Sequence, residues 1–113
     1  MALDLPIFQL AGAKARHASA RHNANAQNIA NADTPGFKAL TLPSFDAEMA
    51  LSTEAESLFE MRENRNAVPT PNGNTVSLDE EVLGAASAMM EHETALAIYR
   101  KSIELLRMSL GKR

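Results

Sequence analysis

The triplet Thr34-Pro35-Gly36 limits the possible folds more than any other stretch, because it stops a helical pattern that has run unbroken from near the N-terminus. Proline has no amide hydrogen to donate and drives the residue before it into extended backbone, so a helix has to end at or before Thr34. Pro35 and Gly36 then suit the two central positions of a type II turn, the second of which needs positive φ. Upstream, Asp4 before Leu5-Pro6 reads as a cap with proline in the first turn, and the pattern predicts a helix from Leu5 to Asn31. Steps of three and four from Phe8 pass through Ala11, Ala15, Ala18, His22, Asn25, Ile29 and Ala32, a seam of mostly small residues that lets a partner helix come close. Lys14, Arg16, Ser19, Arg21 and Asn23 form a polar side for water or a neighbouring subunit. Asn28 and Asn31 are suited to pairing across packed helices, where a buried asparagine can fix register.

A second periodic stretch closes the chain. Ser77-Leu78-Asp79-Glu80-Glu81 opens it, with Ser77 or Asp79 as cap and acidic residues facing the helix dipole. The seam Val82, Ala85, Met89, His92, Leu96, Tyr99, Ile103, Leu106, Leu110 keeps strict three-four alternation over four heptads. Leu83, Ala86, Met90 and Ala97 widen the stripe, so this helix is expected to contact more than one partner. Arg100, Lys101 and Arg107 lie where cations favour a helix C-terminus, and Gly111 suits its end. Antiparallel pairing of residues 1 to 32 with 79 to 110 follows from their matched lengths of roughly 40 to 50 Å at 1.5 Å per residue.

Between the helices the periodicity fades. Pro43, Pro69, Pro71 and Asn72-Gly73-Asn74 interrupt any long element. Ser44 reads as the cap of a short helix from Phe45 to Leu51, and Ala55 to Arg62 as another. Asn72-Gly73 favours a tight turn, either a small hairpin between Val68 and Val76 or, given the prolines, a loop. The reading is all-α: two long terminal helices forming a hairpin or coiled-coil-like bundle around an irregular middle. Its stretches are residues 1–38, an acidic connector over 39–78 and the amphipathic 79–113, together one domain.

Composition narrows the function classes. A chain of 113 residues supports one domain with a limited core. It has no cysteine, which excludes disulfides and thiolate metal sites. No apolar run reaches the length of a membrane span, and Met1 to Leu10 lacks the layout of a cleaved signal. The net charge of -3 is uneven: residues 1–40 carry four basic and two acidic side chains, 41–81 two and nine, 82–113 five and three. His17, His22 and His92 come without a dense ligand set, so no metal or cofactor is expected. The ten glutamates are scattered along helices, there is no phosphate-binding glycine loop, and the basic residues and five aromatics are too few for a nucleic-acid face. The expectation is a protein that is not an enzyme.

Asn28, Ala30, Asn31, Asp33, Thr34, Pro35, Gly36, Phe37 and Lys38 resemble the N-terminal signature of the axial proteins of the bacterial flagellum, which make its rod and hook. Phe37 stands where tyrosine is usual. The run from Asn72 to Glu81, followed by an amphipathic helix with Tyr99, is similar to the second signature of the proximal-rod branch, with Ser77 in place of the usual aspartate. The resemblance covers about the first 40 and last 42 residues. It implies a structural subunit exported uncleaved through the flagellar type III channel to the periplasmic rod. It also implies self-association in a helical assembly, and contact with other rod proteins and with membrane-ring and export-gate proteins at the rod base. The packing seam would be Val82, Met89, Leu96, Tyr99, Ile103, Leu106 and Leu110. A small helical adaptor or export chaperone, or another rod protein, is the alternative; an adaptor needs only the heptads.

Overall fold

A computed structural model of the chain describes residues 4–51 and 59–111. Helix α1 (Asp4–Ala30) runs antiparallel to α3 (Leu78–Ser109), and the pair forms the long axis of a molecule measuring 63 × 28 × 16 Å. The direction is fixed by three pairings: the rings of Phe8 and Tyr99 meet edge to face at 5.3 Å, Arg21 pairs with Glu91, and Asn25 donates to Glu81 at 2.8 Å. Between the helices lie β1 (Leu40–Thr41), α2 (Phe45–Leu51) and β2 (Arg62–Glu63), with β1 and β2 paired antiparallel in the register Leu40 to Glu63 and Thr41 to Arg62.

The helices approach through small side chains. Ala11, Ala15 and Ala18 of α1 are buried, as are Ala88, Ala95 and Ser102 of α3. The innermost line of α3 therefore lies one residue before Met89, Leu96 and Ile103. Alanine wins the closest positions because its methyl group sets the smallest spacing, and larger neighbours are displaced to the flanks of the contact. Ser102 satisfies its hydroxyl locally by donating to the Ile98 carbonyl at 2.9 Å. A core built this way is thin. Among the described residues, the bulkiest side chain shut off almost completely from solvent is Asn28.

Several sequence expectations take a different form. Asn31 lies just beyond α1, in the turn that follows it. Asn28 does not reach across to α3: its Nδ2 donates to the Leu40 carbonyl and its Oδ1 accepts from the Leu40 amide, both at 2.8 Å. It completes the hydrogen bonding of the first residue of β1, which a two-residue strand cannot do alone. Lys14 and Arg21 are drawn out of the polar side, Lys14 to lie over the Phe45 ring and Arg21 to pair with Glu91.

In the middle, α2 matches its expected bounds, and Ser44 caps it by accepting from the Ala47 amide at 3.2 Å. Of the expected helix from Ala55 to Arg62, residues 55–58 lie outside the described residues. Phe59 has φ 66, which no right-handed helix accommodates, and Arg62 belongs to β2. Val68 to Val76 forms a tight turn without strands, because Pro69 and Pro71 remove the donors a ladder needs. Ser77 occupies the N-cap position of α3 without a side-chain cap bond, so Asp79, Glu80 and Glu81 supply the favourable charge in its first turn.

Candidate functional site: a clasp between the two signatures

The two stretches singled out in the sequence are brought into direct contact. After α1 the backbone turns twice. The Thr34 amide donates to the Asn31 carbonyl at 3.1 Å, and the Phe37 amide donates to the Thr34 carbonyl at 3.2 Å across Pro35-Gly36, with Gly36 at φ 76. This is the expected type II turn. The Asn31 side chain stiffens the first bend, its Nδ2 donating to the Gln27 carbonyl at 2.9 Å and its Oδ1 accepting from the Thr34 hydroxyl at 3.1 Å.

The second stretch folds into a matching turn. The Gly73 amide donates to the Thr70 carbonyl at 2.8 Å, and the Thr70 amide donates to the Asn74 carbonyl at 2.8 Å. Asn72 Oδ1 accepts from the Thr70 hydroxyl at 2.6 Å and from the Asn74 amide at 3.1 Å. Such side-chain bonding to nearby backbone is what asparagine and threonine offer in place of regular structure.

Asn74 joins the two turns. Its side chain, in a residue only 2 % exposed, donates through Nδ2 to the Asn31 carbonyl at 2.9 Å and to the Thr34 carbonyl at 2.7 Å. Its Oδ1 accepts from the Val76 amide at 2.7 Å. Around it the Gly36 amide donates to the Asn72 carbonyl, the Thr75 amide to the Phe37 carbonyl, and the Ala39 amide to the buried Thr75 hydroxyl at 2.7 Å. Lys38 adds a longer bond from Nζ to the Gly73 carbonyl at 3.3 Å. Gly73 has φ 86, and a Cβ there would stand 3.4 Å from the Gly36 Cα, so a side chain at this crossing would press on backbone. The end of α1 and the approach to α3 are thus tied by a dense set of backbone and amide hydrogen bonds.

Of the N-terminal signature, Asn28, Asn31, Thr34, Gly36, Phe37 and Lys38 take part in these bonds. Ala30, Asp33 and Pro35 are exposed, on the outside of the knuckle. The C-terminal seam has a split character. Leu96, Ile103 and Leu106 are half-buried and Tyr99 meets Phe8, whereas Val82, Met89 and Leu110 are each more than half exposed. Asn74 and Thr75 were absent from the sequence-derived set of site residues. Their signal is the polar run from Thr70 to Thr75, which marks a turn but not the distant carbonyls it reaches.

A second cluster holds the connector on α1. The His17 ring is buried between Phe45 and Phe59, with centroids at 5.7 and 5.4 Å, and its Nε2 donates to the Pro43 carbonyl at 2.8 Å. The buried Glu48 accepts from the Phe59 amide at 3.2 Å, which fixes the one described non-glycine residue with positive φ. His17 thus has a packing and hydrogen-bonding role, and His22 and His92 are half-buried on the facing helices. Among the described residues no group of three or more His, Asp or Glu side chains is placed to hold a metal ion, and no helix is long and apolar enough to cross a membrane.

These features define a helical-hairpin protein whose two signatures close on each other through backbone bonds. A family model described as "Flagella basal body rod protein" matches residues 16–38, the second half of α1 with the knuckle that follows it. The match supports a structural subunit of the flagellar basal-body rod, associated with other rod components, and does not distinguish one rod subtype from another. No curated protein matches the chain.

Proposed function

We propose that this chain is a structural subunit of the proximal part of the flagellar rod, polymerising through its terminal helices. In that place it joins the membrane-ring and export-gate proteins at the rod base to the more distal rod proteins and passes torque between them. It reaches the periplasm by flagellar export without cleavage. The function needs no bound cofactor and no reaction. What carries the reading is the clasp: the matched N-terminal signature is bonded directly to the Asn72–Val76 stretch, which resembles the second proximal-rod signature. A small adaptor would need the hairpin alone and gives the clasp no task.

The seam and the signature are the proposed assembly surfaces. The seam's half-exposed apolar side chains are suited to neighbours, and a heterologous contact that does not close generates a tube. The test is complementation in cells whose own copy has been deleted. The chain should restore rods and motility. Leu96→Asp and Ile103→Asp should fail while still being exported, because a carboxylate on the seam must be desolvated or must force the helices apart. Glu60→Ala, at an exposed connector position, should complement fully. Rods and motility in the deletion strain without any copy would refute the assignment.

A further inference from the structure

The outward side of α3, turned away from α1, carries two exposed apolar patches with opposite rims. In the N-terminal half, Val82, Leu83, Ala86, Met89 and Met90 are exposed, Leu83 at 72 % and Met90 at 68 %. The charges around them are the exposed Asp79, Glu80 and Glu93, with Glu91 paired to Arg21. In the C-terminal half, Ala97, Leu105 and Met108 are exposed, Met108 at 69 %, and the surrounding charges are Arg100, Lys101 and Arg107, with Glu104 paired to Lys101. One helix thus presents an acid-rimmed apolar patch and a base-rimmed one on the same face.

The offset between the patches matches the helical repeat. Eighteen residues make five whole turns, about 27 Å, and return a side chain to the same face. This offset superposes Val82 on Arg100, Leu83 on Lys101, Met89 on Arg107 and Met90 on Met108. Sliding one α3 past a parallel copy by five turns therefore lays the base-rimmed patch of one on the acid-rimmed patch of the next. Apolar surface is covered, and Arg100 and Lys101 come within a turn of Asp79 and Glu80. The unmatched patch at each end stays open for another copy, so the contact is heterologous and does not close.

Resting on the rod-subunit reading, we infer that the outward face of α3 takes the α3 of a second copy of this chain, parallel and staggered by about five turns. The rim charges set the register, since complementary charge governs alignment and encounter more than affinity. In an antiparallel arrangement the same patches would also match, but the pair would close as a dimer and offer nothing further to bind.

Sedimentation velocity of the purified full chain tests this at low and high salt. Mass should grow with concentration past two copies at low salt and fall at high salt. Arg100→Glu with Arg107→Glu should remain monomeric, as should Glu80→Lys with Glu93→Lys, while an equal mixture of the two variants should associate again. All of these positions are exposed, and unchanged helical circular dichroism confirms that loss of association is not loss of fold. Because the chain has no cysteine of its own, a mixture of Met90→Cys and Met108→Cys chains gives the geometry directly. A disulfide between the two different chains, outnumbering those between like chains, is the expected result. A mass that stops at two copies, a preference for like pairs, or monomer at every concentration and salt would overturn the staggered contact. The rod assignment stands or falls separately, on complementation of the deletion strain.

Discussion

Replacing Asn74 with aspartate and, separately, with alanine tests whether the clasp depends on the donating end of one amide. Asn74 makes three side-chain hydrogen bonds, two as donor and one as acceptor. Each is worth about 1 kcal/mol net. The Asn31 and Thr34 carbonyls each keep one backbone donor, from Thr34 and Phe37, so alanine does not strand them. Asn74→Ala should therefore cost about 2 to 3 kcal/mol. Asn74→Asp is nearly the same shape and keeps the bond from the Val76 amide, but it points a carboxylate oxygen at two carbonyls already within 2.9 Å. A buried charge without a partner costs about 3 to 5 kcal/mol, a large part of the roughly 5 to 15 kcal/mol that holds a domain together. The aspartate variant should also respond to acid. Its carboxyl ionises less readily in the folded chain, so its folded pKa stands above the unfolded value of about 3.9. The variant is then least impaired below that value, where a protonated carboxyl can donate to one carbonyl, and it loses stability as pH rises through the folded pKa. Urea unfolding followed by helical circular dichroism, repeated across the acid range, measures both effects. Equal losses for alanine and aspartate at neutral pH, within about 0.5 kcal/mol, or a gap that does not narrow in acid, would refute the role given to the Nδ2 donor.

Three further outcomes can be checked by thermal or urea unfolding. Gly36→Ala and Gly73→Ala should each cost about 1 to 2 kcal/mol for the left-handed backbone. Asparagine should recover most of that at Gly36, which has open space around it, but not at Gly73, whose Cβ meets Gly36. Gly84→Ala should be nearly neutral, since about 1 kcal/mol of helix propensity is offset by loss of the Asn25 to Glu81 bond when a Cβ comes within 2.9 Å of the Asn25 amide; in an Asn25→Ala background the same change should stabilise. Arg21→Ala should cost less than about 1 kcal/mol and the difference should fade in salt, because Glu91 is largely exposed.

The elements that depend on local rules were legible in the sequence. The period of 3.6 placed both long helices, proline and glycine placed the knuckle after α1, and Ser44 placed α2. What the sequence hid depends on distance in the fold. Two-residue strands are too short to show alternation, and β1 exists because Asn28, a full turn before the end of α1, supplies both bonds for Leu40. The seam of α3 was legible as a stripe of large apolar residues, but the line of closest approach belongs to Ala88, Ala95 and Ser102, because spacing between helices is set by the smallest side chains. Asn74 read as part of a turn, and nothing near it in the chain announces the carbonyls of Asn31 and Thr34. Likewise Phe59, His17 and Glu48 gave no joint signal, since a ring box assembled from three separate stretches has no spacing of its own.

The clasp also has a mechanical consequence. Two rods laid side by side bend easily if they can slide along each other, and several-fold less easily if sliding is blocked, because the pair must then stretch on one side and compress on the other. Here sliding is blocked at one end by peptide bonds and short hydrogen bonds around Asn74, and farther along by the Phe8 ring standing edge-on to Tyr99. The hairpin should accordingly behave as one beam, stiffest in the plane that holds both helix axes and most compliant across it. A load applied to the free end of α3 would reach α1 as shear along the contact of small residues, and the knuckle at Pro35-Gly36 would be the point where that shear is resisted.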